Sequence, residues 1–257
     1  SINFKIENIS SLSKLRNNSI IFLEKEINID EISSKNIHII TNIKENKRYY
    51  DNITIVKSLN NAYNIILNEL YFHEDQQGYF DDYNYVNGSY LSKYCKINDN
   101  VVIGKNCVIS RGVEIGKNSI VKNNVVIKNS LIGKNVIIND NSSIGTNGFG
   151  FSLKNRGSLF LNPQIGIVII QDNVNVGSCC TIDRGKIDFT FIGKNSMIDN
   201  MVHIAHNVVI NENACIAAQT GISGSVTIGK NVTIGGQVGF AGHINIGENV
   251  VIAAKSG

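Results

Sequence analysis

Residues 192–252 read IGKNSMIDNMVHIAHNVVINENACIAAQTGISGSVTIGKNVTIGGQVGFAGHINIGENVVI, and every sixth residue is large and apolar: Ile192, Ile198, Ile204, Ile210, Ile216, Ile222, Ile228, Ile234, Phe240, Ile246 and Ile252. Neither a helix of period 3.6 nor an alternating strand of period 2 requires a strict period of six. A solenoid of short strands with a turn every sixth residue does, which predicts a mainly β fold, a parallel β-helix built on hexapeptide repeats. The tetrad Ile-Gly-Lys-Asn starts at 103, 115, 132, 192 and 228, with Ile-Gly-Glu-Asn at 246. Gly and Asn accept positive φ, so they are placed at the corners, with the preceding apolar residue filling the interior.

Working outward, the ladder extends back through Ile97, Ile103, Ile109, Ile115, Val121 and Ile127. A one-residue deletion resets it to Ile132, Ile138 and Ile144, and it resumes at Ile170, Val176 and Ile182. The insert, 145–165, carries Asn147-Gly-Phe-Gly-Phe151 and the single proline, Pro163. Inserts of this length in compact folds are functional or disordered, and the two phenylalanines favour an ordered, partner-contacting finger. A second irregularity before Thr190 adds four residues. Residues 1–72 carry no hexad; apolar runs at 19–23, 37–40 and 53–56 read as strands and Asn60–Leu70 as a short helix, together a small α/β domain. Residues 73–96, polar and rich in Tyr and Gly, read as a linker to the solenoid of 97–257.

Composition narrows the function classes. A net charge of +3 without a dense Lys/Arg cluster argues against nucleic acid. The five cysteines form no CxxC pair and are expected as small wall residues of a reducing compartment, with no metal site. No stretch of about 18 apolar residues occurs, which leaves at most peripheral membrane contact and a cytoplasmic location as the expectation.

Three six-residue faces make a coil of 18, so register places each polar residue. His206 and His243 fall on corners 37 residues apart, two coils plus one residue, hence on one edge roughly 10 Å apart along the axis. His206, in Ile204-Ala-His-Asn207, is a candidate general base, the alternative being a solvated surface residue. Gly224, one coil beyond His206, offers a backbone N–H to a reacting carbonyl, or is simply a turn glycine. Asp199 and Asn200 lie on the preceding corner, roughly 15 Å or more from His206 of the same chain. They reach it only across a subunit boundary, which suggests a threefold oligomer. His203, on a flat face, and His38 are expected as solvated surface residues.

The chain resembles the bacterial UDP-3-O-(3-hydroxyacyl)glucosamine N-acyltransferases of lipid A biosynthesis. The likeness lies in Gly148-Phe-Gly-Phe151, Pro163-Gln-Ile-Gly166, Thr181-Ile-Asp-Arg-Gly185, Ile198-Asp-Asn200, Ile204-Ala-His-Asn-Val208, Gly221-Ile-Ser-Gly-Ser225 and Gly235-Gly-Gln-Val-Gly-Phe-Ala-Gly-His243. It is dense over 97–257 and thin but collinear over 8–70. The resemblance implies a left-handed parallel β-helix, an exception to the usual hand of parallel crossovers, preceded by a small uridine-binding domain and assembled as a homotrimer. It implies transfer of a 3-hydroxyacyl chain from acyl carrier protein to the 2-amine of a UDP-glucosamine derivative. No cofactor is tightly bound; 4'-phosphopantetheine enters as part of the donor. By the same likeness His206 is the base, Gly224 the oxyanion donor, Asp199 and Asn200 support the site, His243 lies along the phosphopantetheine groove, and Phe22 is a nucleotide-pocket aromatic.

Two departures stand out. Where the family has an Asn-Pro-Lys-Tyr segment that holds uracil, this chain has Glu24-Lys-Glu-Ile-Asn28. It also stops at Ala253-Ala-Lys-Ser-Gly257, where the family continues into further coils and helices, so residues beyond 257 are expected. Rival readings are a nucleotide-sugar N-acetyltransferase using acetyl-coenzyme A on the same prism, a zinc enzyme of the carbonic-anhydrase type, and a solenoid without chemistry.

Overall fold

The hexad is a strand-and-corner unit. In the computed structural model, which describes residues 5–12, 15–24, 36–44, 52–77, 82–153 and 159–257, two-residue strands recur on three sheets of eight, eight and nine strands, all parallel except for one antiparallel strand at the edge of the nine-stranded sheet. Residues 18 apart pair in register, as Ile204 does with Ile222 and Ile198 with Ile216. The ladder residues from Ile109 to Phe240 are buried in one continuous core, and Ile97, Ile103, Ile246 and Ile252 at its two ends are partly buried against it. Each fully buried isoleucine contributes roughly 1.5–3 kcal/mol over an exposed one.

The small inward position two residues before each ladder residue is often a hydroxyl or thiol that satisfies a corner carbonyl. Ser119 Oγ donates to the Gly133 carbonyl at 2.9 Å and Ser142 Oγ to that of Gly177 at 2.8 Å. Cys107 and Cys180 take the same place and make the same bond, at 2.9 Å to Lys122 and 3.1 Å to Asp199. That accounts for two of the five cysteines, all of which are free thiols.

The corner tetrad divides its labour differently from the sequence expectation. Positive φ falls on the asparagine, never on the tetrad glycine. The glycine is there for room: a Cβ on Gly116 would stand 2.5 Å from the Gly133 carbonyl oxygen of the next coil. Along one edge Asn100, Asn118, Asn135, Asn173, Asn195, Asn213, Asn231 and Asn249 all take positive φ. Their amides form a ladder, each Nδ2 donating to the next Oδ1 at 3.0–3.3 Å. Asparagine tolerates the left-handed region and its amide stacks at the coil spacing.

The chain divides into two compact units, 1–74 with 150–163, and 75–149 with 164–257. In the first, strands Asn8–Ile9, Ser19–Leu23, Ile37–Thr41 and Ile53–Ile55 form a parallel sheet in sequence order. The expected short helix runs further, Leu59–Gln77. His38, expected at the surface, is buried and bonded through Nε2 to Thr54 Oγ1 at 2.8 Å. A strand enclosed in a parallel sheet buries both of its faces, so a period of two gives no warning. Burial holds this imidazole below its ordinary pKa.

Residues read as a linker are ordered differently. Tyr83–Val86 and Ser89–Ser92 form a hairpin whose second strand joins the solenoid, Tyr90 pairing with Val108. Its turn is Asn87-Gly88, both at positive φ, as a two-residue hairpin loop requires. The finger is also a hairpin, Phe151–Leu153 against Leu159–Leu161.

Candidate functional site

The strand that begins at Ser143 breaks register between Ile144 and Thr146. Gly145 sits there at φ 80°, and a Cβ would run into the Lys128 carbonyl, so no other residue fits. This bulge turns the chain off the solenoid and lays Gly148 against His206. A Cβ on Gly148 would come within 2.8 Å of His206 Cβ and 3.0 Å of Cδ2. From the other side, a Cβ on Gly224 would come within 2.7 Å of Cε1 and 2.8 Å of Nε2. The imidazole therefore lies between two glycine backbones, half-buried.

Its proton can be assigned. His206 Nδ1 is 3.1 Å from Asn207 Oδ1, and the same oxygen accepts the Lys186 N–H at 2.9 Å. An atom that accepts from a backbone N–H is the amide oxygen, so Nδ1 must be the donor. Nε2 is left with its lone pair, facing Gly224. Asn207 itself is at φ 59° and is held by its own N–H to Thr190 Oγ1 at 2.9 Å. Asn207 had no assigned role in the sequence reading, where it was one corner asparagine among many.

A cavity of about 490 Å³ opens over this edge, lined by Phe149, Asp183, His203, Ala205, His206, Gly221, Ile222, Ser223, Gly224, Gly239 and Phe240. His203, expected to be a plain surface residue, forms part of the wall. Its Nδ1 bonds Thr181 Oγ1 at 2.7 Å and its Nε2 lies 3.8 Å from Asp183 Oδ2. Asp183 is buried and accepts from Thr146 Oγ1 at 3.0 Å. Burial raises its pKa, while the Thr146 hydroxyl and the two imidazoles, His203 before His206, pull it back. Asp183 too lacked a role in the sequence reading. Its signal is the four-residue irregularity after it, which breaks the hexad where a buried acid stands.

Gly221 and Gly239 pair in register with each other and with His203 on the outward side of this face. A Cβ on either would meet nothing within 4 Å, and neither has positive φ. The floor of the cavity is bare without any demand from backbone or packing.

The remaining site candidates lie elsewhere. His243 is exposed two coils along, at φ 62°, and donates its N–H to the Gly224 carbonyl at 3.1 Å. Asp199 and Asn200 are exposed on the previous edge, away from the cavity of their own chain. There the Asp199 carboxylate caps the N–H groups of Asn200 and Ala218 at 2.7 and 3.2 Å, and Asn200 Oδ1 caps Ser178 at 2.7 Å. Phe22, in the other unit, is half-buried and packs edge-on against Tyr63 with ring centroids 5.1 Å apart. Of the segment after it, residues 25–28 lie outside the described residues. Among the described residues no three His, Cys, Asp or Glu side chains converge as a metal would need, and no helix is long and apolar enough to cross a membrane.

Residues 94–129 and 189–224 match the family model of the bacterial transferase hexapeptide (six repeats), and 225–254 that of the hexapeptide repeat of succinyl-transferase. Over 67 residues the chain is 54% identical to the UDP-3-O-acylglucosamine N-acyltransferase of Francisella tularensis subsp. holarctica, a match covering 26% of this chain and 20% of the relative. The matched stretch thus spans a fifth of that relative's length. Among solved structures, the UDP-N-acetylglucosamine acyltransferase of Campylobacter jejuni aligns with TM-score 0.59 at 24% identity, over 66% of this chain and 64% of that one. The Acinetobacter baumannii UDP-N-acetylglucosamine O-acyltransferase structure aligns with TM-score 0.58 at the same identity and coverage. These likenesses establish the fold as a left-handed parallel β-helix.

Proposed function

We propose that this chain, whose solenoid carries the repeats of the hexapeptide transferases, is an N-acyltransferase of lipid A biosynthesis. It moves a 3-hydroxyacyl chain from acyl carrier protein to the 2-amine of a UDP-3-O-acylglucosamine. The observation that carries this reading is the His206 imidazole, with Nδ1–H given to Asn207 and Nε2 turned toward Gly224. As the sugar amine attacks the thioester carbonyl, Nε2 takes its proton. The carbonyl oxygen becomes an oxyanion beside the Gly224 N–H, which donates to no group among the described residues. Collapse breaks the carbon–sulfur bond, and the imidazolium returns the proton to the leaving thiolate of the phosphopantetheine arm. The bare floor at Gly221 and Gly239 gives an extended, unbranched chain a surface to lie on.

His243 holds a positive φ that asparagine adopts at less cost, which argues for a role of its side chain, here along the phosphopantetheine arm. Phe22 is assigned to the nucleotide. A homotrimer is favoured by the edge bearing Asp199 and Asn200. Its corner column begins Asn106, Asn124, Asn141, then changes to Cys179, Met201, Gln219, Gln237 and Lys255, all still at positive φ. Cysteine and methionine there cost about 1–2 kcal/mol more than a residue that tolerates this region, so corner geometry did not select them. A neighbouring chain against this edge would bring Asp199 and Asn200 to His206. The enzyme is assigned to the cytoplasm, where acyl carrier protein and nucleotide sugars meet.

The test is turnover of His206→Ala with a UDP-glucosamine acceptor and two donors, an acyl-carrier-protein thioester and a coenzyme A thioester. Loss of about 10²–10⁴-fold with the carrier-protein donor is expected. Near-wild-type turnover removes the base assignment, and preference for coenzyme A replaces the donor.

A further inference from the structure

We propose that Gly242 is a positioning residue, one that keeps the Gly224 N–H free by having no side chain to cover it. The argument rests on the reading that this N–H meets the oxyanion. At four corners the second residue gives its N–H along the solenoid axis to the Oδ1 of an Asn or Asp at the equivalent place one coil on, whereas Lys194 and Ala218 give theirs to Gln171 Oε1 and Asp199 Oδ2 of the preceding coil, both at 3.2 Å. Asn123 caps Lys105 at 2.8 Å and Asp140 caps Asn123 at 2.9 Å. Asp172 caps Lys134 and Asn200 caps Ser178, both at 2.7 Å.

Strand register puts Gly242 in that relation to Gly224, since Ile222 pairs with Phe240. It puts Gly224 in the same relation to His206, since Ile204 pairs with Ile222. Neither His206 nor Gly224 gives its N–H to a described residue. Gly224 has a second reason to be glycine, the imidazole resting on it; Gly242 has none. It is exposed and lacks positive φ, and a Cβ there would meet only the Gly224 carbonyl at 3.3 Å and Ser223 Cβ at 4.0 Å. A shift of a few tenths of an ångström would admit a side chain. What a side chain with an acceptor would do at this place is shown by the four capped corners: it would occupy the donor.

The experiment compares G242N with G242A in the full chain, by crystal structure and by steady-state kinetics. In G242N the new Oδ1 is expected within hydrogen-bond distance of the Gly224 nitrogen. Its kcat is expected to fall about 10²–10³-fold, the worth of one oxyanion donor, with KM for both substrates within about twofold. G242A adds bulk without an acceptor and is expected to lose no more than about fivefold, a contrast that a merely structural role would not produce. A G242N structure without the bond overturns the proposal, as does G242N with the bond and wild-type kcat, or G242A falling as far as G242N. Wild-type protein inactive with both thioester donors overturns instead the reading of the reaction on which the proposal rests.

Discussion

The His206 imidazole rests on the Cα of Gly224, so closely that a single added methyl would stand 2.7 Å from its Cε1. One coil of register, 18 residues in sequence, thereby fixes an imidazole against a glycine backbone. The relation needs no loop to close and no side chain to move; the coil spacing sets it.

Gly224→Ala should therefore cost activity without costing the fold. The backbone at 224 is not left-handed, so alanine can adopt it. The ring must turn away from Nε2's present position, and kcat should fall by 10²-fold or about that. Thermal unfolding should stay within a few degrees of wild type. A crystal structure with the ring unmoved, together with full turnover, would contradict the role given to this contact.

Asn207 separates two effects by two substitutions. Aspartate keeps a side chain that tolerates φ near 59° and keeps an acceptor for the Lys186 N–H and His206 Nδ1. It adds a negative charge beside the ring, so the acid limb of the pH–rate profile should move to higher pH. Alanine loses the acceptor and the tolerance together, and should lower both the melting temperature and kcat. An N207D profile superimposable on wild type would break the link between this oxygen and the base.

Asp183 carries a pH signature. Its folded pKa is raised, first by burial, so the folded state holds its proton more tightly than the unfolded chain does. The group's contribution to stability is complete below the unfolded value of about 3.9 and is lost as pH rises through the raised folded value. Asp183→Asn keeps an oxygen for the Thr146 hydroxyl and cannot ionise. The difference in urea midpoint, variant minus wild type, should grow from pH 3.5 to neutrality. A difference that shrinks over that range would have the sign wrong.

The period of six made the solenoid, its coil length and its resets legible from residues alone, because only one place in the coil cross-section suits a large apolar side chain. His206 and Gly224 were legible for the same reason, as residues 18 apart share an edge. Asn207 and Asp183 were not. An asparagine at a corner looks the same whether it supports a turn or orients an imidazole, since both uses exploit one φ. A buried aspartate is visible only once the bulge at Gly145 brings Thr146 to it. His38 was misread because its polarity outweighed a strand whose both faces are covered. The stretch taken for a linker was polar enough to mislead, though its Asn87-Gly88 pair was a hairpin signal.

The corner column that abandons asparagine predicts an interface. Met201, 56% exposed at φ 59°, should be covered in the assembled protein. Met201→Glu should shift the mass seen by light scattering from three chains toward one, whereas Asn213→Glu, on the all-asparagine edge, should leave it at three. A wild-type protein that scatters as a single chain would remove the trimer and, with it, the part assigned to Asp199 and Asn200.

The cavity floor offers the sharpest separation of folding from function. At Gly221 a Cβ would enter open space and the backbone is ordinary, so Gly221→Ala should be neutral or stabilising by about 0.4–1 kcal/mol through the unfolded chain. Gly221→Val should be tolerated as well, since β-branched residues suit a strand. Yet its methyl groups would project into the cavity beside His203 and His206. The KM for the acyl donor should rise about tenfold or more, with the melting temperature unchanged or higher. That combination, a more stable protein that binds its donor worse, has no explanation in which Gly221 serves the fold. A G221V protein with wild-type kcat/KM for donors of every chain length would show that the chain lies elsewhere.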